Sequence, residues 1–178
     1  MPGPFVRTGA TPGDNVGPDE AIFRFLSSDG SSSGTKNANG NYASATDFWI
    51  EHGSRYMVIH RMIVFIEDTT NWSAANYGDL AGPLTNGVLV RVTDPDDTVT
   101  LDLLDGVPVK TNAGWSTMSY DTQNITLGAG NEYMVVRWTF AKSGAPLTLR
   151  PGHKLKATFE DNLTGLVSHR FMVQGYLL

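Results

Sequence analysis

The sequence predicts an all-β fold, a two-sheet antiparallel β-sandwich of the jelly-roll type with an extended N-terminal arm. Short stretches rich in β-branched and aromatic residues recur along the chain, and turns rich in Gly, Pro, Asp or Asn separate them. The chain has 19 Gly and 9 Pro among 178 residues, and only 17% of its residues are charged. Two packed sheets bury such strands economically, and a closed barrel is the main alternative.

The longest apolar run, Tyr56 to Asp68, predicts the central strand. It is rich in Val, Ile and Phe, which favour an extended backbone, and it is too short to cross a bilayer. Both alternating sets of residues along it are apolar, Val58, Met62, Val64 and Ile66 on one side and Met57, Ile59, Ile63 and Phe65 on the other. We therefore expect this strand to be covered on both faces in the middle of a sheet.

The chain divides into an arm, residues 1–20, and a single sandwich domain, residues 21–178. The arm is rich in proline and glycine, and Phe5 and Val6 are its only sizeable apolar group. One interpretation is a disordered tail. The other is an arm that lies on a neighbouring subunit with Phe5 and Val6 as its anchor.

The first half of the domain contains two strands before the central one and a long polar loop between them. Ala21 to Ser27 and Asp47 to Glu51 are the predicted strands. Residues 28–46, built of Gly, Ser and Asn, form a loop whose length is typical of functional or mobile segments. After Asp68, Asn71 or Ser73 is placed to cap a short helical turn.

In the second half of the domain, the predicted strands are followed by turns that contain Gly or Pro. Asp94 to Asp97 forms one turn, and Asp105-Gly106 predicts a tight hairpin. The stretch Asn131–Ala141 alternates with Trp138 on its core side. The predicted strands are 87–93, 98–104, 107–111, 123–127, 131–141, 154–160 and 168–178.

The residue types that carry catalysis or bind metal are not arranged for either task. The chain has no cysteine, so it has no disulfide scaffold or thiolate metal site. Residues 30–34 match G-x-S-x-G, but no helix follows to form a nucleophile elbow. The four histidines, at 52, 60, 153 and 169, show no H-x-H pair. We expect His60 to be a hydrogen-bonded core residue and His169 to be a candidate for a subunit interface.

Charge and carboxylate patterns also predict a non-enzymatic protein. Asp94, Asp96 and Asp97 supply too few oxygens for a calcium site by themselves, and a solvated turn is the preferred interpretation. The net charge is −5 with scattered acids, which predicts neither a nucleic-acid partner nor an anionic membrane. The sequence thus predicts no catalytic residue, no metal ligand and no cofactor. Residues 1–15 lack a signal-peptide core, so we expect no instruction for secretion.

Two tryptophans support an alternative function. Trp72 and Trp115 lie in predicted loops, where an indole face can stack on a sugar ring. Loop tryptophans more often close the ends of sheets, so glycan binding is the second interpretation.

Four phrases together resemble small virion structural proteins of tailed bacteriophages. They are FRFLSSDGSSSGTKNANGNYA, VIHRMIVFIEDT, GAGNEYMVVRWTFAKSG and LTGLVSHRFMVQGYLL. The resemblance spans most of the chain from Phe23 onward and includes no catalytic signature. It implies a jelly-roll or sandwich protein that decorates the capsid as a homotrimer and cements neighbouring copies of the major capsid protein. A tail or fibre component is the alternative, and either would be located in the virion after assembly in the host bacterial cytoplasm.

Overall fold

The computed structural model describes residues 20–69, 76–78, 80–104, 122–126, 132–140 and 145–178, with the backbone alone for 122–126. These residues form the strands β1 (Glu20–Phe25), β2 (Thr46–Glu51), β3 (Met57–Asp68), β4 (Val88–Thr93), β5 (Val99–Asp102), β6 (Thr122–Thr126), β7 (Glu132–Thr139), β8 (Leu147–Leu149), β9 (Lys154–Phe159) and β10 (Ser168–Leu177). Within this part of the chain, no helix has the length and apolar character needed to cross a membrane.

The strands form two sheets whose pairs are all antiparallel. One sheet has the order β1-β10-β3-β7-β6, with β8 also paired to β3, and the other has the order β2-β9-β4-β5. A single apolar core contains residues of both sheets. The predicted two-sheet β-sandwich is therefore confirmed. Its jelly-roll connectivity stays a prediction, and the predicted hairpin strand 107–111 lies outside the described residues.

Strand β3 occupies the centre of the larger sheet, as its apolar sequence predicts. It pairs with β10 on one side and with β7 and β8 on the other. Met62, Val64 and Ile66 are completely buried, whereas Ile63 and Phe65 between them are only partly buried. The expectation that both faces are covered is wrong for this half of the strand, because each sheet of a sandwich has only one inner face.

Aromatic rings join the two sheets at one end of the core. Phe48 on β2 and Phe159 on β9 lie 5.8 Å apart between ring centroids, and Phe159 lies 5.5 Å from Phe171 on β10. All three side chains are buried. Since tilted aromatic pairs stabilise by about 0.5–1.5 kcal/mol beyond their buried area, this group helps to fix the two sheets against each other.

The long polar loop after β1 is attached to the start of β10. The amide of Ala38 donates to the carbonyl of His169 at 2.7 Å, and the amide of His169 donates to Asn37 Oδ1, also at 2.7 Å. Asn39 Nδ2 donates to the carbonyl of Leu166 at 3.1 Å. These hydrogen bonds give the Gly-, Ser- and Asn-rich loop a structural role.

Several sequence predictions lie outside the described residues. They include the arm with Phe5 and Val6, the helical turn at Asn71 or Ser73, and the loop residues Trp72 and Trp115. The described residues begin at Glu20, the first residue of β1, which pairs with Leu177 of β10.

A bulge in β3, opposite the end of β10, generates a test of the packing between the two strands. The pairing register shifts between Gln174 and Gly175, and a Cβ atom at Gly175 would lie 1.8 Å from the carbonyl oxygen of Val58. We predict that Gly175→Ala lowers the free energy of unfolding by about 3 kcal/mol, because two backbones must separate.

Urea unfolding of the purified chain measures this change. Gly53→Ala is the matched control, because the corresponding Cβ meets no atom within 4 Å and should change stability by less than about 0.5 kcal/mol. Equal stabilities for the two variants would contradict the close approach at Gly175.

Candidate functional site

The outer face of the six-stranded sheet is apolar where solvent would be expected to favour polar residues. On β3 and β10, partly buried residues alternate with fully buried core residues. The strand register aligns Phe25, Met172 and Ile63 in one row across three strands. We call this surface the outer apolar face and define it by Phe23, Phe25, Ile63, Phe65, Tyr133, Val135 and Met172.

Aromatic side chains are prominent on the outer apolar face. Phe65 and Tyr133 lie 5.2 Å apart between centroids, and Phe23 and Phe25 lie 6.5 Å apart. Phe23 is 54% exposed. The other six residues of the face are partly buried. A run of neighbouring, partly exposed rings and aliphatic side chains has the character of a binding surface, whereas single exposed apolar residues do not.

The charges on this face are mostly positive. Arg61 lies two positions before Ile63 on β3, Arg170 lies opposite Phe65, and Arg137 lies opposite Ile63. Among the described residues, neither Arg61 nor Arg170 forms an ion pair. Glu67 is the acidic residue that β3 adds to the same side. Among the described residues, the face therefore combines an apolar centre with two arginines, Arg61 and Arg170, that form no ion pair.

The outer face of the four-stranded sheet is different, because its charges neutralise each other. Lys156 Nζ lies 2.9 Å from carboxylate oxygens of both Asp47 and Asp97, and Lys154 Nζ lies 2.8 Å from Asp97. Hydrogen bonds from Lys154 and Lys156 lower the pKa of Asp97 to about 2. Burial alone would lower the pKa of Lys156, but its hydrogen bonds to Asp97 and Asp47 raise the value overall. This face needs no partner for its charges.

His169 lies in the core, so its predicted place at a subunit interface is wrong. Its ring is completely buried, with Nδ1 3.0 Å from the carbonyl of Ala38 and Nε2 2.9 Å from the hydroxyl of Tyr77. Since a carbonyl only accepts, Nδ1 carries the proton and the Tyr77 hydroxyl donates to Nε2. Burial lowers the pKa of His169 to about 3. The residue is a neutral structural link between the loop and β10.

His60 was expected in the core, but it is exposed. Its ring lies 5.4 Å from that of Tyr176. The expectation failed because His60 is the extra residue of a bulge in β3. Arg61 pairs with Gln174 and Ile59 with Gly175, so His60 has no partner on β10, and the alternation that would turn it toward the core is interrupted there. Trp138, in contrast, is buried as predicted, with 5% exposure.

The serine-rich motif at residues 30–34 is a hydrogen-bonded turn. Asp29 accepts hydrogen bonds from Ser27 Oγ at 2.6 Å and from Ser31 Oγ at 2.8 Å, and these bonds hold the pKa of Asp29 well below its usual range. Ser32 Oγ donates to the carbonyl of Phe25 at 2.7 Å. In the described residues, none of these hydroxyl groups bonds to a histidine, so the motif lacks the base that a serine nucleophile needs.

One carboxylate of the β4–β5 turn, Asp94, and one after β9, Asp161, accept hydrogen bonds from backbone amides. Asp94 Oδ1 accepts from the amides of Asp96 and Thr98 at 3.0 and 2.9 Å. Asp161 accepts from the amides of residues 85, 86 and 87. In the part of the chain that the structure describes, no three His, Asp or Glu side chains form a group that could hold a metal ion.

A cleft of about 390 Å³ lies beside Asp161, between residues 80–85 and 161–165. Among the described residues that line it, none is aromatic. The tryptophans of the glycan-binding interpretation, Trp72 and Trp115, are outside the described residues, as are Phe5 and Val6 of the arm. The outer apolar face is therefore the strongest candidate for a functional surface in the described chain.

Sequence reasoning missed the outer apolar face, although a signal for it was present. The central strand is apolar on both sides, and a two-sheet sandwich can bury only one of them. Combining the predicted fold with that pattern would have pointed to an exposed apolar face at Ile63 and Phe65.

Comparisons with protein-family models, with curated proteins and with solved structures found no match. The functional argument therefore depends on the chemistry of the outer apolar face and on the sequence resemblance described above.

The buried His169 generates a prediction about acid stability. Its folded pKa of about 3 lies below the 6.5 of an unperturbed histidine, so the unfolded state binds the proton more readily. Stability is complete above pH 6.5 and is lost as the pH falls, by up to about 1.4 kcal/mol per pH unit. The lowered pKa values of Asp29 and Asp97 add a further loss only below about pH 4.

Urea unfolding between about pH 6.5 and pH 4 isolates the histidine contribution. His169→Asn keeps a donor toward the carbonyl of Ala38 but does not titrate. This variant should be less stable at neutral pH and should have a flatter pH profile. A steep loss of stability in the variant, equal to that of the wild type, would contradict the assignment.

Proposed function

We propose that the chain is a virion structural protein of a tailed bacteriophage, and that it serves as a capsid cement or decoration protein. The observation that carries this proposal is the outer apolar face, a surface suited to protein contact on a compact sandwich. The four phrases that resemble phage virion proteins support the choice of a viral shell. The proposed partners are further copies of the chain, as a homotrimer, and the major capsid protein.

The proposed work is thermodynamic and requires no catalysis. A protein that binds between capsomers of the assembled shell, and does not bind separated subunits, stabilises the shell by mass action. A β-sandwich without cysteine needs no oxidising compartment to fold. Folding in the host bacterial cytoplasm before assembly into the virion is consistent with this chemistry. No nucleic acid, membrane or cofactor is part of the proposal.

The first test is binding to shells of the parent phage that lack this chain. We expect the full chain to co-sediment with the shells and to saturate a fixed number of sites. Shells carrying it should withstand a higher temperature, because a bound ligand stabilises the state that it binds. Calorimetry of decorated and undecorated shells measures this shift. Labelling of particles that places the chain only on the tail or fibres would overturn the capsid assignment.

The second test concerns the N-terminal arm. We predict that deletion of residues 1–18 weakens shell binding, because Phe5 and Val6 would no longer anchor the chain on a neighbouring subunit. Occupancy measured by co-sedimentation at several concentrations quantifies the change. Phe5→Ser together with Val6→Ser, in the full-length chain, separates loss of the anchor from loss of length. Unchanged occupancy for the deleted chain would argue against the arm.

A further inference from the structure

We infer that the outer apolar face binds an acidic protein surface with an apolar centre, that this surface belongs to the shell subunit, and that the face does not pair with itself in a twofold contact. The inference rests on the proposed function and adds to it the surface used and the chemistry of the partner. Three features of the face support it: its residue types, its charge and its contrast with the opposite face.

The residue types of the face are those enriched at the centres of protein interfaces. Phe, Tyr, Met and Arg are over-represented in such centres, while Lys, Asp and Glu are depleted. The rows across β1, β10, β3 and β7 contain the first group and no lysine or aspartate on this side. Lys36, at the edge, places its ammonium group 5.9 Å from the ring of Phe25. The face is thus suited to contact with protein.

The charge of the face selects an acidic partner. Arg61 and Arg170 stand beside Ile63 and Phe65, and neither has a carboxylate partner among the described residues. A partner that covers the apolar centre must also remove water from these guanidinium groups. Burial of an unpaired charge is costly, so the partner has to supply carboxylates opposite them.

The same charges argue against pairing of this face with itself. In a twofold contact the same patch is used by both copies. The arginines of two copies would then surround one apolar centre, with Glu67 as the acid that β3 supplies on that side. Like charges brought together across an interface cost several kcal/mol. An acidic surface of another protein avoids this repulsion.

The outer face of the four-stranded sheet allows a comparison of charges within the same molecule. Its lysines are already neutralised by Asp47 and Asp97, so it has little to gain from an acidic partner. The four-stranded sheet also exposes Val99 and Leu101 on β5, but the arginine of the neighbouring strand, Arg91, is paired with Asp102. Among the described residues, Arg61 and Arg170 of the six-stranded sheet form no ion pair. The chain therefore has a distinct side on which an acidic protein surface would dock.

The experiment measures the affinity of three charge-reversal variants for shells that lack the chain. Arg61→Glu and Arg170→Glu should each weaken binding by roughly tenfold or more, mainly through slower association. Arg150→Glu makes the same change of charge at an exposed residue outside this face and should bind as the wild type does. Thermal unfolding of each variant verifies that the fold is retained.

Two further measurements test the contribution of the apolar centre and that of the charges separately, without a charge-reversal variant. Phe65→Ser should also weaken shell binding. The association rate of the wild type should fall as salt rises from about 0.05 to about 0.5 M, because salt screens exposed charges.

The outcomes distinguish failure of this inference from failure of the proposed function. Wild-type binding with no loss in Arg61→Glu and Arg170→Glu would overturn the acidic partner while leaving the cement function standing. Oligomers that Arg170→Glu dissociates, with shell binding unchanged, would make a second copy the occupant. If no wild-type chain were recovered with the shells, both the inference about the acidic partner and the proposed cement function would be overturned. Loss confined to the face variants, with Arg150→Glu unaffected, supports the inference.

Discussion

The structure depends on the position of β3 between β10 on one side and β7 and β8 on the other. This strand connects most of the larger sheet, and its inner residues Met62, Val64 and Ile66 are completely buried against the second sheet. Hydrogen bonds fix its backbone on both edges, and burial fixes one of its faces. From Arg61 to Asp68 the remaining face is set by alternation, because successive side chains of a strand point to opposite faces and the partly buried residues lie between buried ones.

This constraint explains why the candidate functional surface is an extended sheet face and not a pocket. The apolar residues of the outer face stand on the most firmly paired strands of the molecule, so their spacing follows from the strand register. A rigid platform of this kind loses little conformational freedom on binding. Asp29, Asp161 and His169, in contrast, use their polar groups in hydrogen bonds within the chain.

The contrast between the two outer faces has a functional meaning in the proposed assembly. The four-stranded sheet carries ion pairs such as Lys156 with Asp47 and Asp97, which remain compatible with solvent. The six-stranded sheet carries aromatic rings and arginines, which gain from a partner. A decoration protein must have one side that binds and one that stays in water, and the difference between the sheets provides both.

The sequence by itself determined nine of the ten described strands and the central position of β3, because alternation and turn chemistry are local properties. It missed the three-residue strand β8 (Leu147–Leu149), which pairs with the start of β3. It also placed Trp138 in the core, since its neighbours at every second position are apolar. Only the tertiary structure decided which apolar side of β3 faces the second sheet, that His169 is buried, and that the polar loop attaches to β10. These outcomes depend on contacts between residues more than a hundred positions apart, such as Ala38 with His169. When both sides of a strand are apolar, alternation shows that two faces exist, but packing between distant segments determines which one is covered.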